Sequence, residues 1–482
     1  MKQKIIAHKL KTDKKLISIL KKLPNNYWDF KNENTKEYTH SIHSYPAVMV
    51  SPISRNIINI VNKVMKVDSL FDPFSGSGTV LVEGMLANIK TVYGNDINPL
   101  AILISNVKTN KLNIHELKKE VSILLEDINY DYNENIDFYE RADEYCKKKL
   151  QLDITSKNGW GDNAPKYLRE YINLNKINFE VPNFKNIGYW FKPRVILQLQ
   201  MIKNHILTIK NKNIRNFVFV AFSELVRLVS NRRNGEFKMF RMLSVKVENF
   251  TPNVLKEFNV ILENNVKKMH SFVEACLKNN SISEVKIFFN NVIDLFDIPD
   301  LSIDLVITSP PYGDSRTTVA YGEYSRLSLQ WLDLFELSER EIMMIDKTLM
   351  GGTKFRNGFE FSIPSKTLNK SLEFIKNIDL ERAGDVYSFY LDLEKAISSI
   401  AQKTKKGGYQ FWVVGNRTVK GELLKTDKII IEIASQYNMD YVYTIDRNII
   451  NKSMPSLNSP TNVVGKKSKT MCNEHIVILR KQ

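Results

Sequence analysis

The sequence predicts a doubly wound α/β sheet on three observations. Seven short runs are rich in β-branched and aromatic residues, helical patterns lie between several of them, and Gly, Asn or Pro closes the first five. Strands are expected at 69–72, 91–96, 285–290, 304–308, 409–414, 441–446 and 475–479. A long loop rather than a helix joins the last two, which suits an antiparallel pair at one edge.

Taken in order, residues 1–34 form a basic lead-in whose Leu16, Ile17, Ile19 and Leu20 are spaced for a short amphipathic helix. The first two strands and the helix after Asp96 make up a cofactor-binding half at 35–112. Roughly 170 residues then precede the third strand, far more than a compact α/β connection needs. They read as a mainly helical insertion at 113–283, with apolar residues at helical spacing over 195–209 and 218–229. The other half of the sheet is expected over 284–482, interrupted by a smaller insertion at 343–380 that holds Gly351-Gly352 and the Lys354/Arg356 pair.

A chain of 482 residues can bury one large core with insertions, or two to three domains. Lys and Arg number 69 against 53 Asp and Glu, a net charge of +16. Such a surplus favours a polyanionic partner, either nucleic acid or an acidic membrane face, unless it reflects only the codon bias of a Lys- and Asn-rich host. No apolar run approaches the length of about 18 residues that a membrane span needs. The basic N-terminus lacks an apolar signal core. Cys146, Cys276 and Cys472 are too widely spaced for a disulfide framework or a metal site. These features read as a reducing, cytoplasmic protein with no membrane partner.

Two short segments carry the chemistry. In Phe71-Asp72-Pro73-Phe74-Ser75-Gly76-Ser77-Gly78-Thr79, Asp72 ends a strand while Gly76 and Gly78 open the next helix. Without a Cβ, glycines let the backbone turn sharply and approach a ligand closely. Asp96, twenty residues after Gly76, ends the next strand, where a carboxylate can accept two hydrogen bonds from a ribose diol. The turn reads G-x-G-T rather than G-x-G-x-x-G and lacks Gly-Lys-Ser/Thr, which disfavours a pyrophosphate ligand. A merely tight turn, with Asp96 capping a helix before Asn98-Pro99, is the alternative.

The second segment is Thr308-Ser309-Pro310-Pro311-Tyr312. The lone pair of an exocyclic amine is delocalised into its ring. Methylating it requires acceptors that draw the nitrogen toward tetrahedral geometry and aim it at the methyl donor. Two prolines fix the backbone so that the Ser309 hydroxyl and the Pro310 carbonyl can face one nitrogen, and Tyr312 offers a flat face to an extruded base. A rigid turn after a strand is the alternative. None of the three cysteines follows a proline, which sets aside a thiolate mechanism of C5 methylation, and no His adjoins the clamp. Direct in-line transfer, with the proton lost to solvent, is therefore expected.

Asp-Pro-Phe-x-Gly-Ser-Gly-Thr resembles the S-adenosylmethionine motif of the amino-methyltransferases, and Asn95-Asp96-Ile97-Asn98-Pro99 is similar to the acidic-loop motif that follows it. His43-Ser44-Tyr45-Pro46-Ala47 resembles the His-x-x-Pro-Ala element that closes over the methionine end of that cofactor. In the third strand Asn290-Asn291 stands where the family usually has Gly-Asp. The resemblance implies a seven-stranded Rossmann-like methyltransferase sheet. It implies a cofactor site of His43, Tyr45, Pro46, Asp72, Phe74, Gly76, Gly78, Thr79, Asp96, Ile97 and Asn291. It also implies a catalytic clamp of Ser309, Pro310, Pro311 and Tyr312. Thr-Ser-Pro-Pro-Tyr looks like the cytosine-N4 DNA methyltransferases, whereas adenine-N6 enzymes more often have Asp or Asn at the serine. The run Pro-Pro-Tyr-Gly is shared with the tRNA guanine-N2 enzymes. The expectation is a cytosine-N4 modification enzyme of a bacterial restriction–modification pair, acting on double-stranded DNA beside a cognate restriction endonuclease. Adenine-N6 methylation, RNA methylation and a non-catalytic DNA binder are the rivals.

DNA contacts are expected from Arg227, Arg232, Arg233, Lys238 and Arg241, around the Asn234-Gly235 turn. Arg316 and Arg326, just after the clamp, are candidates for the backbone flanking an extruded base.

Overall fold

The computed structural model describes residues 10–46, 48–151, 164–233, 235, 238–314, 318–353, 355, 362–449, 457–458, 468–469 and 473–482. Arg316, Ala47, Asn234, Lys354, Arg356 and Cys472 lie outside the described residues.

One seven-stranded sheet organises the chain. Its strands are β1 Ser69–Asp72, β2 Thr91–Asp96, β3 Glu284–Phe289, β4 Ile303–Thr308, β5 Thr404–Gly415, β6 Met439–Asn448 and β7 Asn473–Lys481. Their order across the sheet is β3-β2-β1-β4-β5-β7-β6. Pairing is parallel from β3 to β5, and β7 runs antiparallel between β5 and β6, leaving β6 at the edge. The order reverses between β1 and β4, and the carboxyl ends of those two strands form the crevice where ligands of doubly wound sheets bind. All seven expected strands are present. The fifth begins at Thr404 rather than Tyr409, because Thr-Lys-Lys-Gly-Gly joins the ladder through a register shift that no strand propensity announces.

Alternation along the buried strands sorts side chains to two faces. Leu70, Leu305, Ile307, Phe411 and Ile478 pack with Leu16 and Leu20 of α1 (Lys11–Lys21) and with Ile57 and Val61 of α2 (Ser51–Asn62). Phe71, Val306, Trp412 and Val477 turn to the other face, against the helices spanning Lys366–Ile378, Leu380–Lys403 and Thr426–Ala434. The expected N-terminal helix is thus sheet-packed. It is further tied by buried Asp13, which accepts from the Tyr409 hydroxyl at 2.7 Å and from Arg480 Nε at 3.1 Å.

After β1 and β2 come α3 (Thr79–Leu86) and α4 (Pro99–Lys108). The long connection to β3 is helical, with α5 (Ile114–Glu134), α6 (Pro193–Thr208), α7 (Lys212–Leu228) and α8 (Val254–Lys278) among its elements. Phe217, Phe222, Leu262 and Met269 share one apolar cluster with Ile42, Tyr45, Leu100 and Tyr324, so the insertion's core is continuous with the edge of the cofactor crevice. Beyond β4 come α9 (Tyr321–Leu332) and α10 (Glu339–Thr348), with Tyr321 of the first and Lys347 and Thr348 of the second lining the crevice.

Candidate active site

The turn after β1 is built by backbone conformation. Gly78 adopts φ +80° as the residue before α3, and a Cβ there would stand 2.9 Å from Ser105 Cβ on α4. Gly76 adopts φ +48° and faces the Tyr45 ring. Asp96 fastens the turn: its Oδ2 accepts from the Gly76 N–H at 2.9 Å and its Oδ1 from the Asn98 N–H at 2.8 Å. Asn98, not Asp96, caps α4 by accepting from Leu100 N at 3.1 Å. From beneath, the buried Lys108 ammonium donates to Ser77 Oγ at 3.1 Å and to His40 O at 3.0 Å, and burial lowers its pKa to about 7.

Asp72 joins the two halves. Its Oδ1 accepts from Thr308 Oγ1 at 2.9 Å and from Phe74 N at 3.2 Å, so the end of β1 is bonded to the end of β4, where Ser309 begins the clamp. Burial pushes the Asp72 carboxyl up to about 7, with the nearby Asp96 adding to the rise, and burial pushes Asp96 up to about 6.

A cavity of about 440 Å³ lies above this junction. Tyr45, Pro46, Asp72, Phe74, Gly76, Thr79, Asp96, Ile97, Asn291, Ser309 and Pro311 line it, so residues of the elbow and the clamp meet in one hollow. Gly78, Pro310 and Tyr312 are not among its lining residues. His43 does not reach the cavity. It is buried 3.4 Å from Glu224 Oε2 and edge-on to Tyr324, and desolvation lowers its pKa to about 4, leaving a neutral packing group. The sequence reading also missed part of the wall. Tyr321 stacks on Tyr45 with ring centroids 6.0 Å apart, and Lys347, Leu349, Met350 and Asp392 close the far side. The Gly351 N–H, after the Lys347–Met350 turn, donates to Asp392 Oδ2 at 2.9 Å. Only Gly351-Gly352 hinted at this turn.

Charged partners from distant elements hold the clamp. Ser309 Oγ lies 3.4 Å from the Tyr312 hydroxyl, which donates to Glu474 Oε1 on β7 at 2.9 Å. Two residues on, Asp314 is 1 % exposed between Arg382 Nη2 at 2.9 Å and Arg417 Nη1 at 3.5 Å.

The expected DNA-binding cations separate into two groups. Arg227 is 3 % exposed: its guanidinium lies 3.2 Å from the Tyr324 ring centroid and donates to Tyr324 O. Burial lowers its pKa to about 10, so it stays charged but is sealed between α7 and α9. Arg232 is likewise buried, bonded to Arg233 O, and Arg241 is drawn onto Tyr189, donating to its carbonyl at 3.0 Å. Arg227 and Arg232 are thus buried away from a phosphate surface, while Arg241 remains half-buried. Arg233 is exposed and Lys238 half-exposed on the hairpin closed by Arg233 N–H to Phe240 O at 2.7 Å. Met239 N–H donates to Glu323 Oε1 at 2.7 Å, which docks the hairpin on α9 two residues from cavity-lining Tyr321. Arg326 is half-buried on α9.

Among the described residues no helix is long and apolar enough to cross a membrane, and no cluster of His, Cys, Asp and Glu could hold a metal ion. Residues 51–289 match the family model described as D12 class N6 adenine-specific DNA methyltransferase. The chain is 38% identical over 465 residues to the type II methyltransferase M.MvaI of Kocuria varians, covering 95% of this chain and 94% of that protein. It is 23% identical over 356 residues to the type II methyltransferase M.MjaII of Methanocaldococcus jannaschii, covering 64% and 65% of the two chains. The solved rRNA methyltransferase aviRa of Streptomyces viridochromogenes is 10% identical, covers 91% of this chain and 88% of its own, and has a TM-score of 0.30, too low to weigh beside the strand order. With a relative this similar along nearly its whole length, the chain belongs to the type II DNA methyltransferases, enzymes that use S-adenosylmethionine.

Proposed function

We propose that the enzyme methylates the exocyclic N4 amino group of cytosine in duplex DNA, as the modification partner of a restriction endonuclease. The observation that carries this reading is Ser309. It lines the same cavity as the glycine elbow, and it offers a hydroxyl where the adenine-N6 enzymes more often place Asp or Asn.

The residues fit the cofactor. Two buried carboxylates, Asp72 and Asp96, face a cavity whose wall lacks a Cβ at Gly76. Asp96 would accept from the ribose hydroxyls, Asp72 would sit by the methionine ammonium, and Phe74, Ile97 and Asn291 would border the adenosine. Tyr45 and Pro46 would close over the methionine end. S-adenosylmethionine supplies an activated methyl group. The protein's share is placement: Ser309 and the Pro310 carbonyl accept from the target NH2, Pro311 and Pro310 keep that turn rigid, and Tyr312 stacks on the extruded ring. Arg233, Lys238 and Arg326 are the cations best placed to meet phosphates.

Adenine-N6 methylation is the second reading, favoured by the description of the matching family model. That match ends at residue 289, before the clamp begins at Ser309, so it covers most of the cofactor half and the helical insertion but not the clamp. Nucleoside mass spectrometry of DNA from a host expressing the protein tests the choice. N4-methylcytosine is the expected product; N6-methyladenine moves the enzyme to the second reading, and neither product overturns both.

A further inference from the structure

Hydrogen bonds lead away from the clamp as well as into it. Ser309 Oγ donates to the Tyr312 phenol oxygen at 3.4 Å, and that phenol donates to Glu474 Oε1 at 2.9 Å. The second Glu474 oxygen is ion-paired with Arg447, whose Nε donates to Trp28 O at 2.9 Å and whose guanidinium lies 5.8 Å from the Phe30 ring. A hydroxyl, a phenol and a carboxylate thus stand in a row, anchored at the far end by the N-terminal segment. The Glu474 side chain is 14% exposed, close enough to water to give up a proton.

We propose that Ser309, Tyr312 and Glu474 form a relay that removes a proton from the target amine as the methyl group arrives. The proposal rests on the amino-methyltransferase reading above and adds the route that the proton takes. The amine nitrogen bonds the methyl carbon as the methyl–sulfur bond breaks. One N–H proton passes to Ser309 Oγ, the Ser309 proton to the Tyr312 oxygen, and the Tyr312 proton to the Glu474 carboxylate. The sulfonium and carboxylate charges cancel, leaving a neutral N-methyl base and a neutral Glu474 that returns its proton to water. Burial, with the Glu474 charge adding to it, holds the Tyr312 phenol well above its usual range, so Tyr312 passes a proton through without standing as a phenolate. Glu474 acts through Tyr312 and is a positioning residue; within the relay Ser309 is the member that takes the proton from the substrate.

The test is single-turnover methylation of unmethylated plasmid DNA by the full chain in mixtures of H2O and D2O. For the wild type the rate is expected to fall with deuterium along a curve, since more than one proton moves together. A rate indifferent to deuterium, or a straight line, overturns the relay without any variant. Tyr312→Phe keeps the ring and removes the oxygen, and Glu474→Gln keeps an acceptor that cannot take a proton. Each is expected to slow transfer about 10²-fold, to straighten the deuterium plot, and to leave cofactor affinity unchanged. The double variant is expected to be no slower than either single. Full rate in Tyr312→Phe, or losses that multiply, overturns the relay, whereas a pin that only orients the ring would leave the curvature in Glu474→Gln. A wild type that methylates no base sinks the functional reading; methylation without these effects sinks the relay alone.

Discussion

The glycine elbow and the clamp stand at the ends of adjacent strands, β1 and β4, yet are held by opposite means. Backbone conformation holds the elbow: two glycines at positive φ, two N–H groups on Asp96, and close contact with α4. Charged side chains from far along the chain hold the clamp, with Glu474 on Tyr312 and Arg382 and Arg417 on Asp314. A site made of backbone tolerates side-chain changes nearby and fails when a Cβ is added. A site held by buried charge fails when one partner is removed, because the others are left unpaired.

The largest effect should therefore come from Asp314→Ala. It removes the carboxylate that Arg382 and Arg417 share, side chains 12% and 17% exposed, while Arg382 keeps Asp385 at 3.2 Å. Breaking a buried pair of this kind costs about 3–5 kcal/mol, read from the urea midpoint, and methylation should be lost with it. A midpoint shift worth under about 1 kcal/mol, with activity retained, would show that the clamp is not held by charge. Ser309→Ala comes next: transfer should slow about 10²-fold while cofactor affinity, measured by calorimetry, stays put. An unchanged rate would remove the serine from the chemistry.

The same contrast explains what could be read before the fold was known. The elbow is a local signal, since Asp72, Gly76, Gly78 and Asp96 fall within one β-α-β stretch and their spacing constrains each other. So are β1 and β2, whose observed bounds coincide with the expected ones. The clamp's own five residues were legible, but its supports were not. Arg382, Arg417 and Glu474 lie 68 to 162 positions from the residues they hold, and no pattern links them. Arg227 misled for a related reason: a run of cations gives no indication of which ones point back into the protein, and here Tyr324, 97 residues away, takes the guanidinium. Tyr321 and Leu349 enter the wall only through the placement of α9 and α10, which tertiary packing decides.

Gly78→Ala sharpens the comparison from the elbow's side. The added Cβ meets Ser105 at 2.9 Å and φ is +80°, so the turn should strain by about 1–2 kcal/mol and cofactor affinity fall about tenfold. The relay's curved deuterium dependence should persist once cofactor saturates. Equal damage to both functions would mean that elbow and clamp are one mechanical unit.

Acidity separates the halves as well. Asp72, pushed up to about 7, has a folded pKa above the unfolded carboxylate value of about 3.9. Its contribution to stability is complete below about 4 and is lost as pH rises through about 7, so the cofactor-free protein should become less stable from pH 5 to pH 8. Cofactor binding should run the other way, because an ammonium beside Asp72 favours the ionised carboxylate, and affinity should rise over that interval. Asp72→Asn should flatten both trends. Retention of either slope in that variant would assign it to another group, with Asp96, pushed up to about 6, the next to test.

The smallest effect is expected where neither half is touched. The hairpin that docks on α9 through Met239 and Glu323 carries exposed Arg233 and half-exposed Lys238, while Arg227 and Arg232 are buried within the protein. Replacing Arg233 and Lys238 by Ala should weaken DNA binding uniformly across sequences and lower the slope of log affinity against log salt by about 0.9 for each phosphate contact removed. Folding, cofactor affinity and the single-turnover rate on saturating DNA should be unchanged, since neither side chain lines the cavity. A slope equal to that of the wild type would detach the hairpin from DNA and make Arg326, half-buried on α9, the next cation to test.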